Sequence, residues 1–300
     1  PNALQLLQKV TINDVRKLDV GQAQYSAMCY EDGGIVDDLI IYRKSDGYFM
    51  VVNAANIQKD FDWINQYVPN GTHLENISSD ISLVAVQGPR SRKLLSQFTD
   101  IDLVMPFYSF KEAVVCGFSV MVSRTGYTGE LGFEIYASEE AVITIWDELI
   151  KVGAQPAGLA ARDILRLEMS YCLYGNDIDE TINPLEAGLG WITSLDKEKF
   201  IGFERIQQEK KVGSKRRLVA FSMRERGIPR PGYKVYADGR NIGYVTSGTQ
   251  SPSLNTGIGL AYVDTPFNKI GQQISIEIRD KHLGTIIIKA PFINNTSLHH

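Results

Sequence analysis

The sequence predicts an α+β protein built on antiparallel sheet, and three observations carry that expectation. Residues 22–52 read as a meander of three apolar stretches, 22–30, 35–43 and 48–52, separated by the turn signals "EDGG" and "KSDG". Single helical periods interrupt the later strands without the strict alternation that a doubly wound parallel sheet requires. From residue 215 onward every segment reads as strand at hairpin spacing, so 215–295 is expected to form a small all-β barrel or sandwich.

In chain order, "ALQLLQK" (3–9) reads as a short helix ahead of the meander. "IQKDFDWINQYV" (57–68) has the helical period, with Ile57, Phe61, Ile64 and Val68 on one stripe. "ISLVAVQGP" (81–89) returns as a strand, and "PRSRKLLSQF" (89–98) as a helix with Pro89 in its first turn. "AVVCGFSVMVSR" and "LGFEIYAS" read as two further strands around "TGYTGE". "EEAVITIWDELIKVG" (139–153) is a helix ended by Gly153, and "AARDILRLEMSYCLYG" (160–175) one ended by Gly175. The charged stretch 196–217 reads as a helix plus an exposed connection and marks a domain boundary. Within 215–295 the hairpin signal is strongest at Asp238-Gly239.

Bulk numbers narrow the class. A chain of 300 residues suggests about two domains, and 44% apolar with 22% charged residues is ordinary globular composition, not disorder. A net charge of −4 gives no global attraction to nucleic acid or anionic membrane. No apolar run reaches the ~18 residues a spanning helix needs, and the start does not read as a signal peptide. Cys29, Cys116 and Cys172 are odd in number and widely spaced, which argues against a disulfide framework or a structural zinc site. They read as small buried hydrophobes. Of the four histidines only the terminal pair, His299 and His300, are close together, and that pair reads as the stub of a tag; no metal is expected.

Three stretches place polar groups where apolar ones belong. In "GGIVDDLIIYR" (33–43), Asp37 and Asp38 interrupt a buried-strand pattern, and a buried carboxylate there costs several kcal/mol unless it is compensated. Strand alternation puts Asp38 with Val36, Ile40 and Tyr42, and Asp37 with Ile35, Leu39 and Ile41. The two are therefore not expected to form an acid–base dyad. Either both serve the adjoining glycine turn, or one lies at the bottom of an apolar pocket with a tuned acidity. "SRTGYTGELGFEIY" (123–136) packs three glycines into a tight loop that is not a dinucleotide fingerprint, and places Glu134 in a strand, either on a solvent face or inward. "AGLAARDILRLEMSYCLYGNDID" (157–179) puts Arg162 and Arg166 one turn apart on a helix with a small-residue start, followed by a polar loop. Each arginine reads equally as a surface ion-pair partner.

Those three blocks, together with "GYVTSGTQSPSLNTGIGLAYV" (243–263), resemble in order and over essentially the whole chain the T-protein of the glycine cleavage system, a tetrahydrofolate-dependent aminomethyltransferase. The resemblance implies a three-domain cloverleaf: 1–83 as an α+β domain carrying the Asp-Asp strand, 84–205 as a second α+β domain, and 214–298 as a C-terminal β-barrel-like domain. It also implies the reaction. An aminomethyl group arrives on the lipoyl sulfur of H-protein, tetrahydrofolate accepts the carbon, ammonia leaves, and 5,10-methylenetetrahydrofolate forms. Asp38 is then the key carboxylate, bonding the folate nitrogens and stabilising positive charge on an iminium-like species, while Asp37 is structural. Glu134 would read the donor edge of the pterin, and Arg162 would line the pterin or tail pocket. Asn53 falls on the pocket wall, Trp191 near the glutamyl tail, and Tyr127 and Arg230 on further lining. The implied partners are lipoylated H-protein, with no nucleic acid and no membrane, in a bacterial cytoplasm or a mitochondrial matrix.

Two departures accompany the resemblance. The family carries a further N-terminal segment with a "DVSHMG"-like motif, ahead of where this sequence starts at Pro1; it completes a sheet and one wall of the folate site, and without it an unpaired edge is expected. After Pro291-Phe292 the family often has aromatics that "INNTSL" lacks. Another folate-dependent one-carbon transferase or demethylase of the superfamily is the first alternative. A non-catalytic folate-binding iron–sulfur assembly factor is less well supported, because its "KGCYxGQE"-like motif is absent. The basic residues Lys210, Lys211, Lys215, Arg216 and Arg217 read as a solvated connection ahead of a dock for an acidic carrier.

Overall fold

The computed structural model describes residues 2–299. It contains two antiparallel sheets with helices and one closed barrel. The first sheet has the order β1-β2-β3, formed by β1 (Ala23–Cys29), β2 (Ile35–Arg43) and β3 (Tyr48–Val51). α1 (Asn2–Val10) precedes it and α2 (Ile57–Asn65) follows it. The Asp-Asp strand is thus central, paired on both sides. Leu39 and Ile41 of β2 pack with Leu6, Leu7 and Val10 of α1 and with Trp63 and Ile64 of α2. On the opposite face, Tyr42 packs edge-on against Phe110 and Tyr136 of the second sheet. Alternation along one strand therefore divides β2 between a helix-covered side, which includes Asp37, and a side turned toward the rest of the molecule, which includes Asp38. Gly34 allows β2 to start beneath the 179–182 loop: a Cβ there would stand 1.8 Å from the Glu180 carbonyl oxygen. The Ile35 amide donates to the Asp179 and Ile182 carbonyls of that loop.

α2 differs from its expected stripe. It buries Asp60, Trp63 and Ile64, and it ends at Asn65, so Val68 lies beyond it. The helix is turned so that Trp63 meets α1 and β2, and that rotation carries a carboxylate into the interior.

The second sheet has the order β4-β7-β6-β5, from β4 (Ser82–Gln87), β5 (Phe110–Val115), β6 (Phe118–Ser123) and β7 (Gly132–Ala137). α3 (Ser91–Leu95) follows β4, and α4 (Glu139–Lys151) follows β7. Val84, Val86, Phe133, Ile135, Ile145 and Leu149 form the core between them. The single strand expected over 113–124 is a hairpin. Cys116 (φ 49°) and Gly117 (φ 85°) make a two-residue turn of the kind that matches strand twist. Cys116 is consequently half-buried in a turn and not inside a strand. The helix expected over 89–98 is confined to one turn and a half, because Ser96 caps α3 by bonding back to Arg92 and Leu94.

α5 (Leu159–Glu168) stops seven residues before Gly175. Ser170 takes a left-handed φ of 57°, and the Tyr171 amide folds back onto the Arg166 carbonyl. α6 (Phe203–Val212) occupies the charged stretch; Lys210, Lys211, Lys215 and Arg217 are exposed, while Arg216 pairs with Glu186 at 3.3 Å. The C-terminal strands β8 (Arg216–Met223), β9 (Lys234–Ala237), β10 (Arg240–Ser251), β11 (Thr256–Asp264), β12 (Gln273–Ile278) and β13 (Lys281–Ile288) close in the order β10-β11-β8-β13-β12-β9. Asp238 and Gly239, both at positive φ, join β9 to β10 as the sequence indicates. The barrel is fastened to the rest by a buried polar cluster. The Arg166 guanidinium donates to Asp177 at 2.6 Å and to Ser247 Oγ at 2.7 Å. Ser247 Oγ and the Leu173 amide also donate to Asp177. No helix among the described residues is long and apolar enough to cross a membrane.

Candidate active site

Asp38 is half-buried on the outward face of β2, and both its oxygens are held. Tyr25 on β1 pairs with Ile40, so its hydroxyl reaches diagonally across the ladder and donates to Asp38 Oδ2 at 2.8 Å. Asn53 follows β3, whose Val51 stands opposite Ile40, which brings Asn53 alongside Asp38. Its amide nitrogen donates to Asp38 Oδ1 at 2.8 Å and to Asp37 Oδ1 at 2.8 Å. The aspartates therefore point to opposite faces and are joined through one amide.

Asp37 is fully buried and receives two further bonds, from the Asn53 backbone N–H at 3.2 Å and from Asn56 Nδ2 at 2.8 Å. Burial, and then the charge of Asp37, push the Asp38 carboxyl up to about 6; the Tyr25 and Asn53 bonds oppose the rise. Asp38 is thus mostly ionised at neutral pH and close enough to its midpoint to exchange a proton.

Glu134 lies on β7 between Ala85 of β4 and Ser123 of β6, so it is inside the sheet and buried, which settles its two readings in favour of the inward one. Thr125 Oγ1 and the Tyr136 hydroxyl donate to its Oε2. The Tyr42 and Tyr136 hydroxyls meet at 3.1 Å, which links β2 to β7. Burial pushes the Glu134 carboxyl up from the usual carboxylate range, while the Thr125 bond and the charge of Arg162 counter it. Arg162 is exposed on α5, with its guanidinium carbon 4.6 Å from the centre of the Tyr127 ring. Tyr127 stacks on Tyr171 at 5.8 Å and donates its hydroxyl to the Cys172 carbonyl. The glycine-rich loop that carries Tyr127 folds tightly over Gln87, whose amide donates to the Thr125 and Phe133 carbonyls. A Cβ at Gly126 or Gly132 would meet that Gln87 amide at 2.1 or 2.2 Å.

Trp191 is 72% exposed and stacks on Tyr25 with ring centres 5.9 Å apart. One ring thus separates Trp191 from Asp38. The structure therefore assembles Asp38 with Asn53 and Trp191, and Glu134 with Arg162 and Tyr127. Burial raises the Tyr127 phenol, and the charge of Asp38 adds to that rise, so the second group lies within electrostatic reach of the first. Arg230 stands apart, exposed in the connection between β8 and β9, with no bond to either group among the described residues.

Sequence reasoning missed Tyr25, Asn56 and Tyr108. Tyr108 feels Tyr171, Tyr42, Glu134 and Asp38, and adopts a positive φ of 63°. Tyr25 was findable from its side-chain diagonal to Asp38, once the register of the first hairpin is fixed. Tyr108 carries no signal in its neighbours.

A family model for the GCVT N-terminal domain matches residues 1–197, and one for the glycine cleavage T-protein C-terminal barrel domain matches residues 216–294. An aminomethyltransferase of Flavobacterium psychrophilum is 50% identical over 299 residues, covering 97% of this chain and 83% of the relative. One from Halothermothrix orenii is 46% identical over 299 residues, covering 98% and 84%. The crystal structure of glycine cleavage system aminomethyltransferase T from Bartonella henselae superposes with a TM-score of 0.89 at 31% identity, over 98% of this chain and 82% of that one.

Proposed function

The chain belongs to the glycine cleavage T-protein family and is an aminomethyltransferase, and from that premise we propose that Asp38 is the carboxylate that organises its transfer, with tetrahydrofolate as acceptor and lipoylated H-protein as donor. The observation that carries the assignment is the state of Asp38: half-buried, fixed at both oxygens by Tyr25 and Asn53, and shifted to about 6.

The residues suit a folate. Glu134 is a buried acceptor carboxylate of the kind that pairs with a pyrimidine amino group, and Arg162 and Trp191 offer a cation and an exposed ring for an anionic, aromatic-bearing tail. Tetrahydrofolate, when bound, supplies the amine nitrogens that take up the carbon. The protein's own part is positional and electrostatic. Tyr25 and Asn53 prevent the Asp38 carboxylate from rotating, so its charge is pre-aimed at the place where positive charge develops as ammonia leaves. With a midpoint near 6, the same group can take a proton from an acceptor nitrogen and return it later. Trp191, stacked on Tyr25, braces the ring whose hydroxyl holds that carboxylate. Glu134 and Arg162, held by Thr125 and Tyr127, fix the far side of the ligand. Arg230 enters this reading only as outer lining.

The test is turnover with tetrahydrofolate and aminomethylated H-protein. Asp38→Asn keeps the shape and loses the charge, so kcat should fall by about 10²–10⁴. Turnover within a few-fold of the parent would refute the assignment.

A further inference from the structure

We propose that Asp60 carries a proton that it donates to Asp37, and that this buried acid is a positioning residue that sets Asp38 through the chain Asp60–Asp37–Asn53–Asp38. The proton belongs to the fold by itself; its consequence for turnover rests on the role of Asp38 proposed above.

Asp60 is 1% exposed on α2, and neither of its oxygens has a hydrogen-bond donor among the described residues. Its side chain meets that of Asp37, which is 0% exposed. Two ionised carboxylates in contact inside a protein repel one another, and each is penalised by lost solvation. One proton between them removes both difficulties, because the protonated oxygen of one becomes a donor to the other.

The surroundings decide which group keeps the proton. Asp37 receives three amide N–H bonds from Asn53 and Asn56, all of which favour its ionised form. Asp60 receives none, so the proton stays on Asp60. The charged and titratable groups that face Asp60 are Asp37 and Asp38 from β2, Lys59 from its own helix, and Tyr30 from the end of β1. Lys59 does not form an ion pair with it. Its ammonium donates to the Val36 carbonyl and to the Tyr174 hydroxyl, and lies 4.3 Å from the centre of the Tyr174 ring. Burial, followed by contact with Asp37, raises the Asp60 carboxyl to about 9.

The link to Asp38 is geometric. Asn53 Nδ2 bridges Asp37 and Asp38 at 2.8 Å each, so the direction of that amide is fixed by the charge on its Asp37 side. A donated proton keeps a single negative charge behind the amide. Loss of the proton places two charges there, which draws the amide inward, loosens its hold on Asp38 Oδ1, and raises Asp38 by a further like-charge contact.

Two variants separate the proton from the packing. Asp60→Asn retains a donor toward Asp37 without a titratable group; Asp60→Leu retains volume and removes the donor. The first readout is the infrared band of a protonated carboxyl, taken on the ligand-free full chain at about pH 8, above the Asp38 midpoint and below that of Asp60. The band should be present in the parent and lost in Asp60→Asn. An unchanged band would overturn the proton assignment, and needs no assumption about catalysis. The second readout is the titration of Asp38, followed by its labelled carboxyl carbon. It should keep its midpoint in Asp60→Asn and move in Asp60→Leu; a midpoint unmoved in both would overturn the positioning role. In turnover, the parent should lose rate as pH rises through about 9, and Asp60→Asn should lack that alkaline fall. An alkaline fall that persists in a folded Asp60→Asn assigns it elsewhere and removes Asp60 from the chain. Absence of turnover in every protein, parent included, would instead count against the function proposed above.

Discussion

Two buried acidic clusters in this protein have opposite designs. Around Asp177, every charge is answered. Arg166 pairs with it at 2.6 Å, Ser247 and the Leu173 backbone donate to it, and Arg166 also holds Asp163 at 2.7 Å. Around Asp38 the compensation is incomplete: Asp37 and Asp38 share amide and hydroxyl donors, the nearby lysine is turned to other acceptors, and Asp60 has no donor among the described residues. The first cluster joins α5 and the polar loop after it to barrel strand β10. The second leaves Asp38 and Asp60 at about 6 and 9, where protonation can change in use. A buried charge that is fully paired fixes a structure; one that is partly paired keeps its chemistry available.

The contrast can be broken at either end. The largest effect expected is on stability at the paired cluster. Arg166→Met leaves Asp177 charged and unpaired, and should cost about 3–5 kcal/mol in denaturant unfolding. Whatever fraction folds should keep its Asp38 midpoint. Tyr25→Phe comes next. It removes one bond to Asp38, so kcat should fall roughly tenfold, in line with about 0.5–1.5 kcal/mol for a single hydrogen bond. Because that bond holds the Asp38 carboxyl down, the acid limb of the rate profile should also move to higher pH. Trp191→Ala is smaller. The ring is exposed, so stability should change by no more than about 0.5 kcal/mol. The loss of a stacking face should appear mainly in KM for tetrahydrofolate, by a factor of about three to ten.

The effect that most sharpens the contrast is the pH dependence of stability. Asp38 and Asp60 are raised in the folded state, so the fold binds protons that the unfolded chain releases near 3.8. Their contribution is full below that value and is lost as pH rises through about 6 and then about 9. Asp60→Asn should flatten the decline between about 6 and 9. A decline of unchanged steepness in a folded Asp60→Asn would place its source in other groups.

Much of this was legible in the sequence, and the part that was not has physical reasons. Two adjacent aspartates inside a β-branched run announce themselves, because local pattern alone makes them anomalous. Glu134 in "GFEIY" is visible for the same reason, though only its burial in the folded chain shows that it points inward. The barrel follows from hairpin spacing, which is also local. Asp60 was hidden because hydrophobic period selects the stripe through Ile57 and Phe61, whereas packing against α1 and β2 selects Trp63 and Ile64 and carries Asp60 inward. The helical pattern runs on through Tyr171, past the observed end of α5 at Glu168. What stops the helix is a left-handed Ser170 and the pull of the Arg166–Asp177 pair on the following backbone. The stretch around Cys116-Gly117 reads as one strand because both arms of the hairpin are apolar, and only the turn between them carries a signal.

The most direct test of the central claim is the pH dependence of single-turnover transfer from aminomethylated H-protein to tetrahydrofolate, in the parent and in Asp38→Asn. The account predicts a rate in the parent that falls as pH drops through about 6, as the Asp38 carboxylate is neutralised, and a slow residual rate in Asp38→Asn with that acid limb gone. The same limb at the same pH in both proteins would contradict it.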